Sequence, residues 1–349
     1  MKIKINKKVL ISKKKPPIII AEISGNHCGK KSLFLKHIKI AAKSGADMIK
    51  IQTYEPKDIT VNKRDKNFII KKGKWKGKKL WDIYKKVHTP FSWHKDAFRL
   101  AKKLNIILFS TPFSIRAFNF LKKFDPPLYK ISSFEITDFN LINHVAKTKK
   151  PIIISTGMAN EKEIKKAISI ISKYHKKIII LHCVSGYPIK DTDANISTIK
   201  KIQLKFKNFN IGLSDHTKDI NSSLAASALG ATVIEKHFKI SEKVKSIDSD
   251  FSINPNQLQT LKNRSLKIFE TLGNPKIGIT DAEKGSLIYR RSIFASRRIE
   301  KGERLSKNNI VTYRPKIGIC ASKFFYILGK KAKKTIKAHS PIFKKMISK

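Results

Sequence analysis

Eight short apolar segments rich in β-branched residues recur before residue 240, and lysine-rich stretches of helical length separate most of them. They read IIIAEI (18–23), MIKIQTY (48–54), ILFSTPF (107–113), LYKISS (128–133), PIIISTG (151–157), IIILHCV (178–184), IGLSDH (211–216) and TVIEKHF (232–238). Amphipathic partners such as SLFLKHIKIAAKSGA and EKEIKKAISIISKYH lie between them. Strand–helix alternation repeated eight times within about 250 residues predicts a (β/α)8 TIM barrel. A doubly wound open sheet is the other α/β arrangement, and it usually carries a glycine-rich phosphate fingerprint after its first strand. Here that turn reads SGNHCGK, without GxGxxG.

The polar residues in these runs gather at one end. The seventh and eighth runs finish in His216 and His237, with the small-residue helix NSSLAASALGA between them. This βαβ unit puts both imidazoles at the C-terminal edge of adjacent parallel strands, where barrels bind ligands. Two such histidines can hold one divalent metal. The other runs carry Glu22, Lys50 with Gln52, Ser110 with Thr111, Lys130 with Ser133 and Glu135, Ser155 with Thr156, Ser185 with Tyr187, Ser214 with Asp215, and Glu235. Charged side chains inside runs this apolar are costly unless paired or used. Polar ends on all eight strands therefore predict a binding site.

The residue types suggest the ligand. Two lysines and several hydroxyls suit a phosphate or carboxylate. No Walker sequence is present, which argues against a nucleoside triphosphate. Glu22 and Glu135 are candidate proton-transfer groups, and a metal on the histidines would polarise a carbonyl. Together these features point to carbon–carbon bond formation with a phosphorylated small molecule. A Schiff-base aldolase using Lys50 or Lys130 stays open at this point.

The formal charge is +50 over 349 residues. Such a charge invites a nucleic-acid reading. The lysines, however, run through the whole chain, and arginine, the better phosphate and base reader, is scarce beside them. Heavy use of both lysine and isoleucine is what drift toward A/T-rich codons produces, so neither nucleic acid nor membrane is expected as a partner. Three dispersed cysteines, Cys28, Cys183 and Cys320, form no disulfide pattern and fit a reducing cytoplasm. No apolar run approaches the roughly 18 residues of a membrane span.

Two segments fall outside the alternation. The long loop between the second and third runs holds Trp75, Trp81, Tyr84, His88 and Trp93 among lysines, and reads equally as a lid or sugar platform and as a packed subdomain. After the last helix, residues 276–289 are polar and weakly periodic and read as a linker between a barrel over 1–275 and a small β-rich module over 290–349. That module alone buries little core and should dock on something.

End to end, the motifs IIIAEISGNH, GADMIKIQTY, LFSTPF, YKISSFE, PIIISTGM, GLSDHT, GATVIEKHF and RRSIFASRRIEKGE…RP…GI…LGKKAKK resemble the bacterial sialic acid synthases of the N-acetylneuraminate synthase type. The last motif resembles their SAF, or antifreeze-like, domain. The resemblance implies condensation of phosphoenolpyruvate with the open-chain aldehyde of an N-acylated amino sugar, giving a nine-carbon 2-keto acid and phosphate. It implies Mn2+ or Mg2+ on His216 and His237, and water and proton handling by Glu22 and Glu135. Lys50, Gln52, Thr111, Lys130, Ser133 and Ser155 would hold phosphoenolpyruvate, with Ser185 and Ser214 near its carboxylate. Tyr187 and Asp248 match sugar-side positions. Arg314 would reach an N-acyl group from a partner subunit, implying a domain-swapped homodimer.

Within that family, SSFEITD and SIDSDFS look more like pseudaminic acid synthases than like those carrying GSGE and a GPD-like segment at these places. The implied sugar is 2,4-diacetamido-2,4,6-trideoxy-L-altrose, with legionaminic and neuraminic acid synthases as alternatives. Lys316 stands where the family usually has glycine after its Arg-Pro pair.

Overall fold

Side-chain alternation in the first long strand sets the architecture. In a computed structural model describing residues 1–71 and 75–349, Ile18 and Ile20 join one apolar cluster while Ile19 and Ala21 join another. The first cluster fills the inside of a barrel, and the second packs the barrel against a ring of helices. The eight strands are β1 (Ile18–Glu22), β2 (Met48–Thr53), β3 (Ile107–Pro112), β4 (Tyr129–Ile131), β5 (Ile152–Ser155), β6 (Ile178–Cys183), β7 (Asn210–Asp215) and β8 (Val233–His237). They pair in chain order and in parallel, and β8 closes the barrel onto β1 through His237 opposite Glu22. The predicted TIM barrel is the observed fold.

The helices of the barrel are α1 (Lys31–Lys43), α2 (Leu80–Val87), α3 (Phe91–Lys103), α4 (Ile115–Lys122), α5 (Phe139–Ala146), α6 (Glu161–Ser172), α7 (Thr198–Lys205), α8 (Asn221–Ala228) and α9 (Pro255–Leu272). Their starts are written locally. Asn160 and Asn254 close capping boxes with Glu163 and Gln257, and Pro255 occupies the first turn of α9, where its missing N–H does no harm. α2 is additional to the barrel repeat and lies in the aromatic loop between β2 and α3. Residues 72–74 of that loop lie outside the described residues.

Inside the barrel the layers change character from bottom to top. An antiparallel hairpin of Ile3–Lys4 and Leu10–Ile11 contributes Ile3, Val9 and Ile11 to the interior cluster together with Ile18, Met48 and Val233. Continuing at period two along each strand, the next inward positions are Glu22, Lys50, Thr111, Lys130, Ser155, Ser214 and Glu235. The lower interior is a dry core, and the C-terminal mouth is lined with charge. No helix among the described residues is long and apolar enough to cross a membrane.

The chain divides into two compact units, Met1–Gly273 and Asn274–Lys349. The second contains the 3-10 stretch Asp281–Tyr289 and an antiparallel pair, Ser292–Ala295 with Ile310–Tyr313. Its core includes Ile293, Leu305, Ile310, Ile336 and Ile342. Gly318 packs tightly there: a Cβ would stand 2.6 Å from the Ile342 carbonyl oxygen.

Candidate active site

The mouth of the barrel holds a cavity of about 620 Å3. Lys50, Gln52, Thr111, Lys130, Ser133, Glu135, Ser155, Tyr187, Ser214, His216, His237 and Asp248, all singled out from the sequence, line it. Glu22 lies fully buried under Lys50 instead of facing the cavity. Ser185 sits beside the lining residue Cys183, with its Oγ 3.9 Å from the Cys183 Sγ. Arg314 is exposed on the second unit.

A buried charge network forms the floor. Lys50 Nζ is 3.0 Å from Glu22 and 3.0 Å from Glu235, and it donates to Thr111 Oγ1 at 3.5 Å. Lys130 Nζ donates to the other Glu235 oxygen at 2.7 Å, and Ser214 Oγ donates to Glu235 at 3.2 Å. Gln52 Nε2 donates to Glu22 at 3.1 Å and to Ser24 Oγ at 2.9 Å. Glu235 therefore bridges two lysines on β2 and β4 from its place on β8. The sequence showed it at a strand end but marked no bridging role, because its partners lie 185 and 105 residues away (235 − 50 and 235 − 130).

Burial and pairing act in opposite directions here. Burial would raise the Glu235 carboxyl, but the two ammonium groups outweigh it and hold it ionised. For Glu22 burial wins, raising it to about 7 against the pull of Lys50. Burial alone would lower Lys50; Glu22 and Glu235 reverse that and keep it charged. Lys130 is lowered, chiefly by burial. Lys50 and Lys130 thus flank the one carboxylate that is held ionised, an arrangement that suits an incoming anion.

Hydroxyls surround this floor. Ser133 Oγ accepts the Gly157 N–H at 3.1 Å, and the buried Ser155 Oγ has no partner among the described residues. Gly157 must lack a side chain: a Cβ would meet Ser185 Oγ at 2.2 Å and Ser133 Oγ at 2.8 Å. Glu135 accepts a hydrogen bond from Ser132, and burial pushes its carboxyl up to about 7.

The two histidines stand above, with ring centroids 5.4 Å apart. Nδ1 of His216 is 2.9 Å from the Val184 carbonyl oxygen. Donating there fixes the ring and leaves Nε2 as a lone-pair donor, the usual arrangement behind a metal ligand. Nδ1 of His237 is buried without a partner among the described residues, and burial followed by the nearby His216 lowers this ring's pKa well below its ordinary value. This donor set fits a divalent cation with two protein ligands. Among the described residues no group of three or more His, Cys, Asp or Glu is arranged to hold one, so water or substrate would complete the shell.

Aromatic rings frame the pair. Phe251 is 4.7 Å from His237 and Tyr187 is 4.4 Å from His216. Asp248 accepts the Gly25 N–H at 3.0 Å, which ties the loop after β8 to the turn after β1. Phe251 and Cys183 carried no periodic or motif signal marking them as site residues.

Residues 37–276 match the NeuB family, and residues 290–348 match the SAF domain. The chain belongs to the NeuB family. It is 40% identical to the pseudaminic acid synthase of Campylobacter jejuni, over 93% of this chain and 94% of that one. It is 39% identical to the pseudaminic acid synthase of Helicobacter pylori, over 94% of this chain and 96% of the relative. The N,N'-diacetyllegionaminic acid synthase of C. jejuni is 37% identical, over 93% of this chain and 98% of that protein. Among solved structures, the N-acetylneuraminic acid synthetase of Leptospira borgpetersenii in complex with citrate superposes with a TM-score of 0.74 at 31% identity, covering 82% of this chain and 95% of that one. This NeuB-family chain is thus a sialic-acid-type synthase, a phosphoenolpyruvate-dependent condensing enzyme with a C-terminal SAF domain.

Proposed function

We propose that this NeuB-family enzyme is a pseudaminic acid synthase, condensing phosphoenolpyruvate with 2,4-diacetamido-2,4,6-trideoxy-L-altrose. The observation that carries the proposal is the Lys50–Glu235–Lys130 bridge beneath the His216–His237 pair, in a chain about 40% identical to two proteins of that name. The lysines, with Thr111, Ser133, Ser155 and Ser214, bind the phosphate and carboxylate of phosphoenolpyruvate. Ser155, whose hydroxyl is unspent, has a hydrogen bond to give the anion.

In the reaction, C3 of phosphoenolpyruvate bonds to the aldehyde carbon, and the aldehyde oxygen takes a proton to become a hydroxyl. Water adds at C2 with loss of a proton. The bond from C2 to the phosphate oxygen then breaks, leaving a 2-keto acid and inorganic phosphate. Glu135, which lines the cavity and is pushed up to about 7, is poised to give and take protons near neutrality, and Glu22, also pushed up to about 7, would exchange protons through Lys50 or Gln52 above it. His216 and His237 would hold Mn2+ or Mg2+, which supplies Lewis-acid polarisation of the aldehyde. Tyr187 and Asp248 line the sugar side, and Arg314 of a second copy contacts an N-acyl group in a domain-swapped homodimer.

The test measures phosphate release from phosphoenolpyruvate with Mn2+ and three sugars: the L-altro diacetamido sugar, the legionaminic precursor and N-acetylmannosamine. Turnover with the first alone supports the proposal. Turnover with another sugar instead overturns the assignment of the sugar while leaving the family chemistry in place.

A further inference from the structure

The cavity has two unlike sides. Its floor is the charge network described above, but one wall is built by α2 from the aromatic loop. Leu80, Ile83, Tyr84 and Val87 stand at i, i+3, i+4 and i+7, and all four line the cavity. Such a stripe on an amphipathic helix normally turns to a protein core. Here Ile83 is buried while Leu80, Tyr84 and Val87 are half-buried along the cavity wall. A helix of eight residues has little stability of its own, and Tyr84 steadies it by meeting the buried Tyr54 ring at 5.9 Å. Phe113 and Phe134 extend the apolar lining from the ends of β3 and β4, and Phe134 remains 59% exposed. Beside α2, Trp75 lines the same cavity, with its indole N–H buried and without a partner among the described residues.

This wall selects against an ordinary polyhydroxylated sugar. Hydroxyls pressed on Leu80 and Val87 would leave water without gaining partners. A deoxy carbon or an acyl methyl loses nothing there and gains apolar burial. We infer that the apolar stripe of α2, with Trp75, is the specificity element that reads the acyl and deoxy substituents of the sugar. The inference rests on the acylated deoxy sugar proposed above and adds the residues that recognise it. The stripe is on one helix, so it can be altered without touching the charged floor.

The experiment compares wild type with Leu80→Asn and with the shape-preserving Val87→Thr in the full-length enzyme with Mn2+. Both the L-altro diacetamido sugar and N-acetylmannosamine are offered, and thermal melts confirm folding. The expected result for Leu80→Asn is a KM for the diacetamido sugar raised about tenfold, the scale of lost apolar contact in a pocket. The KM values for phosphoenolpyruvate and for N-acetylmannosamine should stay within about twofold, so that preference for the diacetamido sugar over N-acetylmannosamine falls about tenfold. Val87→Thr shifts the same ratio in the same direction by a smaller factor. An unchanged ratio in the folded variants, or an equal rise in KM for both sugars, overturns the inference alone. A wild-type enzyme that prefers N-acetylmannosamine overturns the proposed substrate and the inference with it.

Discussion

Lys236 and Asp215 face each other across β7 and β8, one residue ahead of His237 and His216, and form an ion pair of 3.1 Å on the outer side of the barrel. Both side chains are buried, and both charges are satisfied. Lys236 also donates to the Thr217 carbonyl at 2.6 Å, while Asp215 accepts from Thr217 and from Ser223 of α8 at 2.5 Å. The pair ties together the strand ends that carry both histidines. Lys236→Met leaves a buried carboxylate unpaired and should destabilise the fold by about 3–5 kcal/mol in denaturant titration. A Lys236→Met/Asp215→Leu double variant should recover much of that loss. Mn2+ affinity of the folded double variant should fall about tenfold, because the support behind both rings is gone.

Glu235→Gln tests the bridge between the lysines. The neutral amide keeps the shape but leaves Lys50 and Lys130 to repel each other, so Lys130 should lose its proton more readily. Turnover should fall by about 10²-fold, in line with loss of one pre-organised electrostatic partner. Initial rates at saturating and limiting phosphoenolpyruvate separate binding from chemistry; an unchanged kcat/KM for phosphoenolpyruvate would remove Glu235 from the mechanism.

His216→Ala and His237→Ala each remove one of the two ligands of the proposed cation site. Mn2+ binding followed by electron paramagnetic resonance should weaken at least about tenfold in either variant. Chelation of wild type should abolish turnover, and added Mn2+ should restore it. Unaltered Mn2+ binding in both variants would place the cation elsewhere.

Glu135 predicts a pH dependence with a definite sign. Its folded pKa, about 7, lies above the ordinary 4.5, so the native state binds more protons than the unfolded chain between those values. The stability this group supplies is complete below pH 4.5 and is lost as pH rises toward 7. Glu135→Gln stays neutral throughout. Its melting temperature should therefore gain on wild type across that window and hold a constant lead above it. A pH-independent difference would show that the carboxyl titrates normally.

Gly157→Ala should disturb the site without touching a charge. The new Cβ collides with the hydroxyls of Ser185 and Ser133. The KM for phosphoenolpyruvate should rise about tenfold, since a displacement near 1 Å is enough to spoil a positioned contact.

The aromatic loop and Glu235 show where reading a sequence stops. Leu80, Ile83, Tyr84 and Val87 announce an amphipathic helix, but periodicity says only that one face is apolar. It does not say whether that face meets a core or a substrate. Glu235 was visible as a charge in an apolar run, yet pairing with two lysines depends on strands being closed into a ring. Trp93, grouped with the loop aromatics, packs instead at 5.3 Å from His27 and 5.6 Å from Phe34. The orientation of α3 decides that.

The period-two and helical patterns, the polar strand ends and the capping residues are local properties, and they alone determined the barrel, its catalytic end and most of the cavity's lining. Closure of β8 onto β1 is not local. It brought Glu235 to Lys50 and Lys130, so that burial raises the Glu22 carboxyl while the two lysines hold Glu235 down. Those outcomes depend on burial and on distances between residues far apart in the chain, quantities that exist only once the chain has folded.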